Sequence, residues 1–275
     1  MKRFLAKLPG WILIWLYALL VILPLYFVLI TCFKTSAEVT LNPFGLPAAF
    51  TLNNFKVAIE HGHLLRAMRN SLLTSVGATI MQMIIGLAVS YCLYKLREKK
   101  IGVILYMVVL STLFIPGTGW VMLIKLYQKL GLYNSIWGVM LNSGTGRLAF
   151  NTFILVGAMR AVPRELEQAA LLDGCSDLQY LFRVLTPCIK PSLVSIGIFS
   201  FTSSWNSLMT PLLLLRKEET FTLPLALKYL QSGTGEVVQY NYLFAGIVFS
   251  GALLVILYLF CQKYFVTALA GSVKG

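Results

Sequence analysis

The 275 residues carry 58% hydrophobic and only 12% charged side chains, with a mean hydropathy of +0.78, where a soluble domain is near half apolar and a quarter charged; a soluble fold is excluded. The formal net charge of +13 does not mark a nucleic-acid binder, because the basic residues cluster beside long apolar runs, as in Lys95-Leu96-Arg97-Glu98-Lys99-Lys100, where a membrane protein keeps them. Cys32, Cys92, Cys175, Cys188 and Cys261 are odd in number and scattered, with no C-x-x-C or His-Cys grouping, so neither a disulfide framework nor a zinc site is indicated.

Crossing a hydrocarbon core of about 30 Å takes about 20 apolar residues. The first run, 11–33, follows Lys2, Arg3 and Lys7; it exceeds a signal-peptide core and no A-x-A site follows, so it is read as a retained helix. The loop 34–70 contains Asn42-Pro43-Phe44-Gly45-Leu46-Pro47 and Leu52-Asn53-Asn54-Phe55, turn formers with aromatic plugs that predict a compact cap. His61 and His63 lie there without a third ligand nearby, which reads as solvated loop residues. Further spans are expected over 72–94, 101–124, 192–215 and 242–266, none with an ionisable side chain in its middle. The run 148–162 is only about 15 residues and contains Arg160; at a rise of 1.5 Å it covers about 22 Å, so it starts earlier, sits inside the bundle or runs past the membrane face.

Six spans would put both termini on one side. Thirteen of the 23 Lys and Arg lie before the first span, in 95–100, in 160–190 and from 263 onward, in loops much shorter than those holding the other ten. The positive-inside rule then predicts cytoplasmic termini and outer loops at about 34–70, 125–147 and 216–241.

The longest polar interruption on the expected cytoplasmic side is 161–191, AVPRELEQAALLDGCSDLQYLFRVLTPCIKP. Pro163 suits a first helical turn and Gly174 the left-handed position past a helix end, which predicts a helix over about 164–173. Ser176-Asp177-Leu178-Gln179 has the S-x-x-Q form of a capping box, and Leu178, Leu181, Phe182 and Leu185 repeat at i, i+3, i+4 and i+7 until Pro187. Two helices about a glycine also describe a DNA-reading motif. Here, however, Arg160, Arg164, Arg183 and Lys190 are balanced by Glu165, Glu167, Asp173 and Asp177, which leaves no basic face. A helical loop packed only on its own bundle is the plainer alternative.

The residue order separates these readings. Gln168-Ala169-Ala170, three residues, Gly174, nine residues and Val184-Leu185-Thr186-Pro187 resemble the EAA loop of bacterial ABC importer permeases, E-A-A then Gly then I-x-L-P, with both spacings intact. The resemblance extends over nearly the whole chain and narrows to the carbohydrate branch, the MalG-like subunits of maltose-type importers. Carrying it are the Asn-Pro-Phe-Gly-Leu-Pro loop, Arg69-Asn70-Ser71, Ser204-Trp205-Asn206, Phe221-Thr222-Leu223-Pro224, and the ending Gln262-Lys263-Tyr264-Phe265 through Gly271-Ser272-Val273-Lys274-Gly275. It implies an all-α integral membrane protein, the type I ABC importer permease fold, with six transmembrane helices in a single domain over 1–275. It also implies that the loop 161–190 is a coupling helix seated in a cleft of a cytoplasmic ATPase, with Glu167, Gln168, Ala169, Ala170, Asp173 and Gly174 at the contact. Adjacent alanines leave a shallow face that another protein can approach closely, and glycine permits the reversal. Three positions depart from the pattern. Gln168 stands where the family has Glu, so an ion pair gives way to a neutral hydrogen bond of about half the strength and Glu167 becomes a substitute contact. Thr186 replaces a leucine, and Ala268 a glycine.

Uncharged polar residues inside the spans are the candidates for touching a solute: Thr79, Gln82, Ser111, Thr112, and the series Ser200, Thr202, Ser203, Ser204, Asn206 and Thr210. Sugars are held by neutral hydrogen-bonding groups and aromatic faces, which singles out Gln82, Ser203, Ser204, Trp205 and Asn206; the same residue types also join membrane helices to one another. No Asp, Glu or His lies at mid-membrane depth, which argues against a proton-coupled carrier. No Walker A motif occurs, so the chain is expected to be no enzyme and to bind no cofactor, with ATP and Mg on a partner ATPase. The resemblance implies a second permease subunit, two copies of that ATPase, an extracytoplasmic solute-binding protein and the lipid of a bacterial cell membrane, and no nucleic acid. A permease for a non-sugar solute, or a self-sufficient secondary carrier or channel, are the alternatives; the latter would need no ATPase-contacting loop. A membrane-embedded enzyme finds no catalytic pair or metal-ligand grouping.

Overall fold

Backbone groups in hydrocarbon have no water to bond and must satisfy one another within a helix, and helices are what the apolar runs form. In the computed structural model the described residues are 8–115, 119–232 and 239–271, and among them there is no strand. The chain divides into two units, 1–66 with 225–255 and 67–224 with 256–275.

In the first unit, α1 (Leu8–Thr31) is apolar on all sides, leaving Leu13, Leu16, Leu20 and Leu23 exposed on the isolated chain. Helices α2 (Ser36–Leu41) and α3 (Asn53–His61) follow, α2 closed by a capping box between Thr35 and Glu38. These make the expected compact cap. Lys34, fully buried, donates from Nζ to the carbonyls of Asn42 and Pro43, each at 2.8 Å. Asn54 donates to the carbonyls of Cys32 and Lys34 at 2.8 Å and accepts from Asn241 at 3.1 Å. Phe33 sits 5.7 Å from the rings of Phe50 and Phe55.

Helix α4 (Leu64–Lys95) starts ahead of the expected residue 72 and is followed by α5 (Lys100–Ser111), α6 (Trp120–Lys129), α7 (Ile136–Thr145) and α8 (Leu148–Arg160). The single helix expected over 101–124 is therefore two. Pro116, itself outside the described residues, lies four positions after Thr112, and a proline ring clashes with the carbonyl four residues before it. Helix α8, 13 residues or about 20 Å, is short as expected. After α9 (Arg164–Leu172) and the segment α10 (Asp177–Cys188) come α11 (Lys190–Trp205), α12 (Met209–Leu214), α13 (Leu223–Ser232) and α14 (Tyr240–Gly271). The span expected over 192–215 is likewise interrupted at 206–208, where Pro211 excludes a helical carbonyl at Ser207. Among the described residues, α1 and α4 are each long and apolar enough to cross a membrane, and the bent pair α10–α11 makes a third; Lys100–Ser111 and Leu148–Arg160 are apolar but shorter.

Within the second unit methionine side chains of α4 and α7 seat against glycines of the facing helix. A Cβ built on Gly77 would collide with Met140, and one on Gly144 with Met81. Gln82 donates to the Ser143 carbonyl at 2.7 Å across the same contact. Two motifs that are weak separately prove to be partners: Asn70 donates to the carbonyls of Glu219 and Phe221 at 2.9 and 3.0 Å, and the Leu223 N–H donates to Ser71 Oγ at 2.7 Å.

Candidate functional site

The loop between α8 and α11 is built by local chemistry. Pro163 is the N-cap of α9 (φ −57°), and α9 ends at Leu172 with Gly174 at φ +77°. At that angle glycine lets the Gly174 and Cys175 N–H groups turn back onto the carbonyls of Leu171 and Ala170, at 3.1 and 2.9 Å. Ser176 and Gln179 form the expected capping box.

From there the structure departs from the expected amphipathic helix. Residues Tyr180–Leu185 form a π-helix, in which each hydrogen bond reaches one residue further. The buried face becomes Tyr180, Leu181, Leu185 and Ile189, packed with Ala170, Leu155, Met159 and Tyr94; Leu178 and Phe182, expected on that face, are exposed. Pro187 does not end the run. The helix continues to Cys188 and bends by 81° before α11, where Pro191, in the first turn, would clash with the carbonyl of Pro187 in a straight continuation.

Electrostatics hold α9 against the end of α4. Glu167, its side chain only 12% exposed, accepts from Lys95 Nζ at 3.1 Å, Arg97 Nη2 at 2.9 Å and Tyr94 OH at 3.1 Å. Lys95 also pairs with Asp177 at 2.8 Å, Tyr91 OH donates to the Asp177 carbonyl at 3.0 Å, and Arg164 meets Glu98 at 2.6 Å. Burial pushes the Glu167 carboxyl up, but the hydrogen bonds from Lys95, Arg97 and Tyr94 more than reverse this and hold it below the ordinary 4.5. Burial likewise lowers Lys95, and its bonds to Asp177 and Glu167 raise it above 10.5. Both groups are ionised at neutral pH.

The expected coupling residues thus divide between two faces. Glu167 is turned inward and Ala170, 6% exposed, is part of the loop's own core, so the shallow alanine face does not form as expected. Gln168, Ala169, Asp173 and Gly174 are exposed, and beside them Leu172 is 89% exposed. Tyr94, Lys95, Arg97 and Asp177 were not singled out by sequence; the acidic loop residues facing the basic 95–100 cluster were the available signal. Of the solute candidates, Gln82 is buried and bonded to Ser143 and Asn151, the latter donating at 3.4 Å. Trp205 is buried and stacked 5.8 Å from Phe201; Ser204 is half-buried, Ser203 and Asn206 are exposed, and Asn206 caps the Thr202 carbonyl at 2.9 Å.

Residues 92–274, which include the loop, match the family described as binding-protein-dependent transport system inner membrane component. The chain belongs to that family. It is therefore a multi-pass membrane permease component and not an enzyme. It is 30% identical to the probable starch degradation products transport system permease protein AmyC of Thermoanaerobacterium thermosulfurigenes, over 94% of this chain and 93% of AmyC. It is 31% identical to the arabinooligosaccharides transport system permease protein AraQ of Bacillus subtilis, over 94% of this chain and 92% of AraQ. A chain from the crystal structure of a bacterial ABC transporter involved in the import of the acidic polysaccharide alginate is similar to the permease with a TM-score of 0.84 at 22% identity, covering 96% of this chain and 98% of that one. That likeness shows the fold.

Proposed function

We propose that this chain is one permease subunit of an ATP-binding-cassette importer and forms half of the pathway for a sugar or oligosaccharide delivered by an external binding protein. The observation that carries this reading is the loop at 161–190, a preformed knob fixed to α4 through Glu167 that presents Gln168, Ala169, Leu172 and Asp173 outward. A self-sufficient carrier has no use for such a surface. The names of AmyC and AraQ support an oligosaccharide as the cargo. In this reading six helices cross a bacterial cell membrane with both termini in the cytoplasm, α5 with α6 and α11 with α12 serving as interrupted crossings. A second permease completes the pathway, and two copies of an ATPase hold ATP and Mg. Closure of the ATPases pushes α9, and the 81° bend passes that motion to α11.

The test substitutes the outward face. Ala169→Trp puts a bulky side chain where the ATPase cleft closes, and Gly174→Pro cannot take φ +77°. A clash of about 2 kcal/mol at such a contact weakens docking roughly thirty-fold. Both variants are expected to reach the membrane folded while losing co-purified ATPase or solute-stimulated ATP hydrolysis; Gln168→Glu should preserve or strengthen both. Wild-type values for Ala169→Trp and Gly174→Pro would overturn the coupling role.

A further inference from the structure

Next to the ion pairs of the loop lies a cavity of about 390 Å³, lined by Tyr94, Arg97, Glu98, Val103, Arg160 and Arg164 among others. Three guanidinium groups face it against one carboxylate. Arg97 is committed to Glu167 and lies over the Tyr94 ring at 4.1 Å. Arg164 is bound to Glu98, but the two are 65% and 66% exposed, a pairing that water and salt readily exchange. Arg160 makes no ion pair among the described residues; its guanidinium sits 5.4 Å from the centre of the Tyr106 ring. A planar fork of N–H donors matches phosphate oxygens. The wall on the α5 side is apolar and open: Val103, which lines the cavity, continues along α5 into exposed Ile104, Met107 and Val108. A headgroup in the cavity and an acyl chain along that stripe satisfy both surfaces at once, which a soluble phosphate does not.

We infer that this cavity binds the phosphate of an anionic phospholipid headgroup, with Arg160 and Arg164 as its ligands. The inference rests on the cytoplasmic placement of the loop, where anionic headgroups and basic pockets meet. Because Arg164 is the first residue of α9, a bound headgroup touches the helix that carries the coupling surface.

The assembled importer is reconstituted in nanodiscs of phosphatidylcholine and phosphatidylglycerol in equal parts, extracted in mild detergent, and its retained phosphatidylglycerol is counted by native mass spectrometry. Each basic contact at a membrane surface accounts for roughly a five-fold change in binding, so Arg160→Gln and Arg164→Gln should each lose retained phosphatidylglycerol by about that factor, and Lys129→Gln should not. Arg164 lies on the surface, so its variant keeps the test valid if Arg160→Gln misfolds. A parallel arm adds inorganic phosphate to importer in pure phosphatidylcholine and follows thermal unfolding. Equal phosphatidylglycerol retention by wild type and both variants overturns the site; retention unchanged alongside a phosphate-induced stabilisation that the variants lose overturns lipid as the occupant. Lipid counting does not depend on transport, so failure here is distinguishable from failure of the coupling role.

Discussion

Glu167 is separated by 72 and 70 residues from Lys95 and Arg97, which hold it. No periodicity or spacing rule links positions that far apart, which is why a glutamate beside an EAA-like motif looked like a contact for a partner. Gly174 and Ser176, in contrast, were legible because the angle at a helix end and the S-x-x-Q cap are decided within four residues. Replacing Glu167 with Gln leaves Lys95 and Arg97 without their shared carboxylate and should cost about 2 kcal/mol of loop docking at neutral pH, read as faster hydrogen exchange over 164–180. The pH dependence has a definite sign. A carboxyl held below 4.5 in the folded chain contributes stability that is present above 4.5 and lost as pH falls through its folded value. A lysine raised above 10.5 contributes below 10.5 and loses that contribution as pH rises through its folded value. The difference in unfolding midpoint between wild type and Glu167→Gln should therefore be constant from pH 6 to 8 and be lost in acid, as pH falls below 4.5 through the lowered folded value of Glu167. A difference that survived at lower pH would show that Gln perturbs packing and not charge.

At the scale of elements, hydrophobic periodicity located helices but not their interruptions. The stripe at Leu178, Leu181, Phe182 and Leu185 assumed 3.6 residues per turn, and with the π-helix at Tyr180–Leu185 the buried face keeps Leu181 and Leu185 but takes Tyr180 and Ile189 in place of Leu178 and Phe182. Apolar runs through Pro116 and Pro211 looked continuous because a window average does not register one missing N–H. The contact between α4 and α7 was also invisible, since Gly77 and Gly144 face methionines on helices that the sequence does not pair. Gly144→Leu forces Met81 and the Gln82–Ser143 hydrogen bond apart and should destabilise the chain by about 1–3 kcal/mol, lowering its unfolding midpoint in detergent. Gly157→Ala, where no atom waits within 4 Å, is the control and should leave that midpoint unchanged or raise it.

For the molecule as a whole, composition alone was enough to exclude a soluble fold, and the motif order was enough to reach the family. The crossing count was not, because it depends on how short helices combine in a bilayer and not on any one run. Topology is tested directly: in a variant without native cysteines, Lys99→Cys should resist an impermeant external thiol reagent while Lys129→Cys reacts. The reverse pattern would invert the orientation and remove the headgroup cavity from the anionic leaflet.

The Asn70 amide finds its acceptors 149 and 151 residues downstream, and Ser71 receives its N–H from a residue 152 further on. At a synthesis rate of about 5–20 residues per second, roughly eight to thirty seconds separate translation of these donors and acceptors. Through that interval the Asn70 amide at the head of α4 is without these acceptors. A ribosome that stalls before Glu219 never supplies them, so the same three hydrogen bonds distinguish the finished protein from an abandoned one.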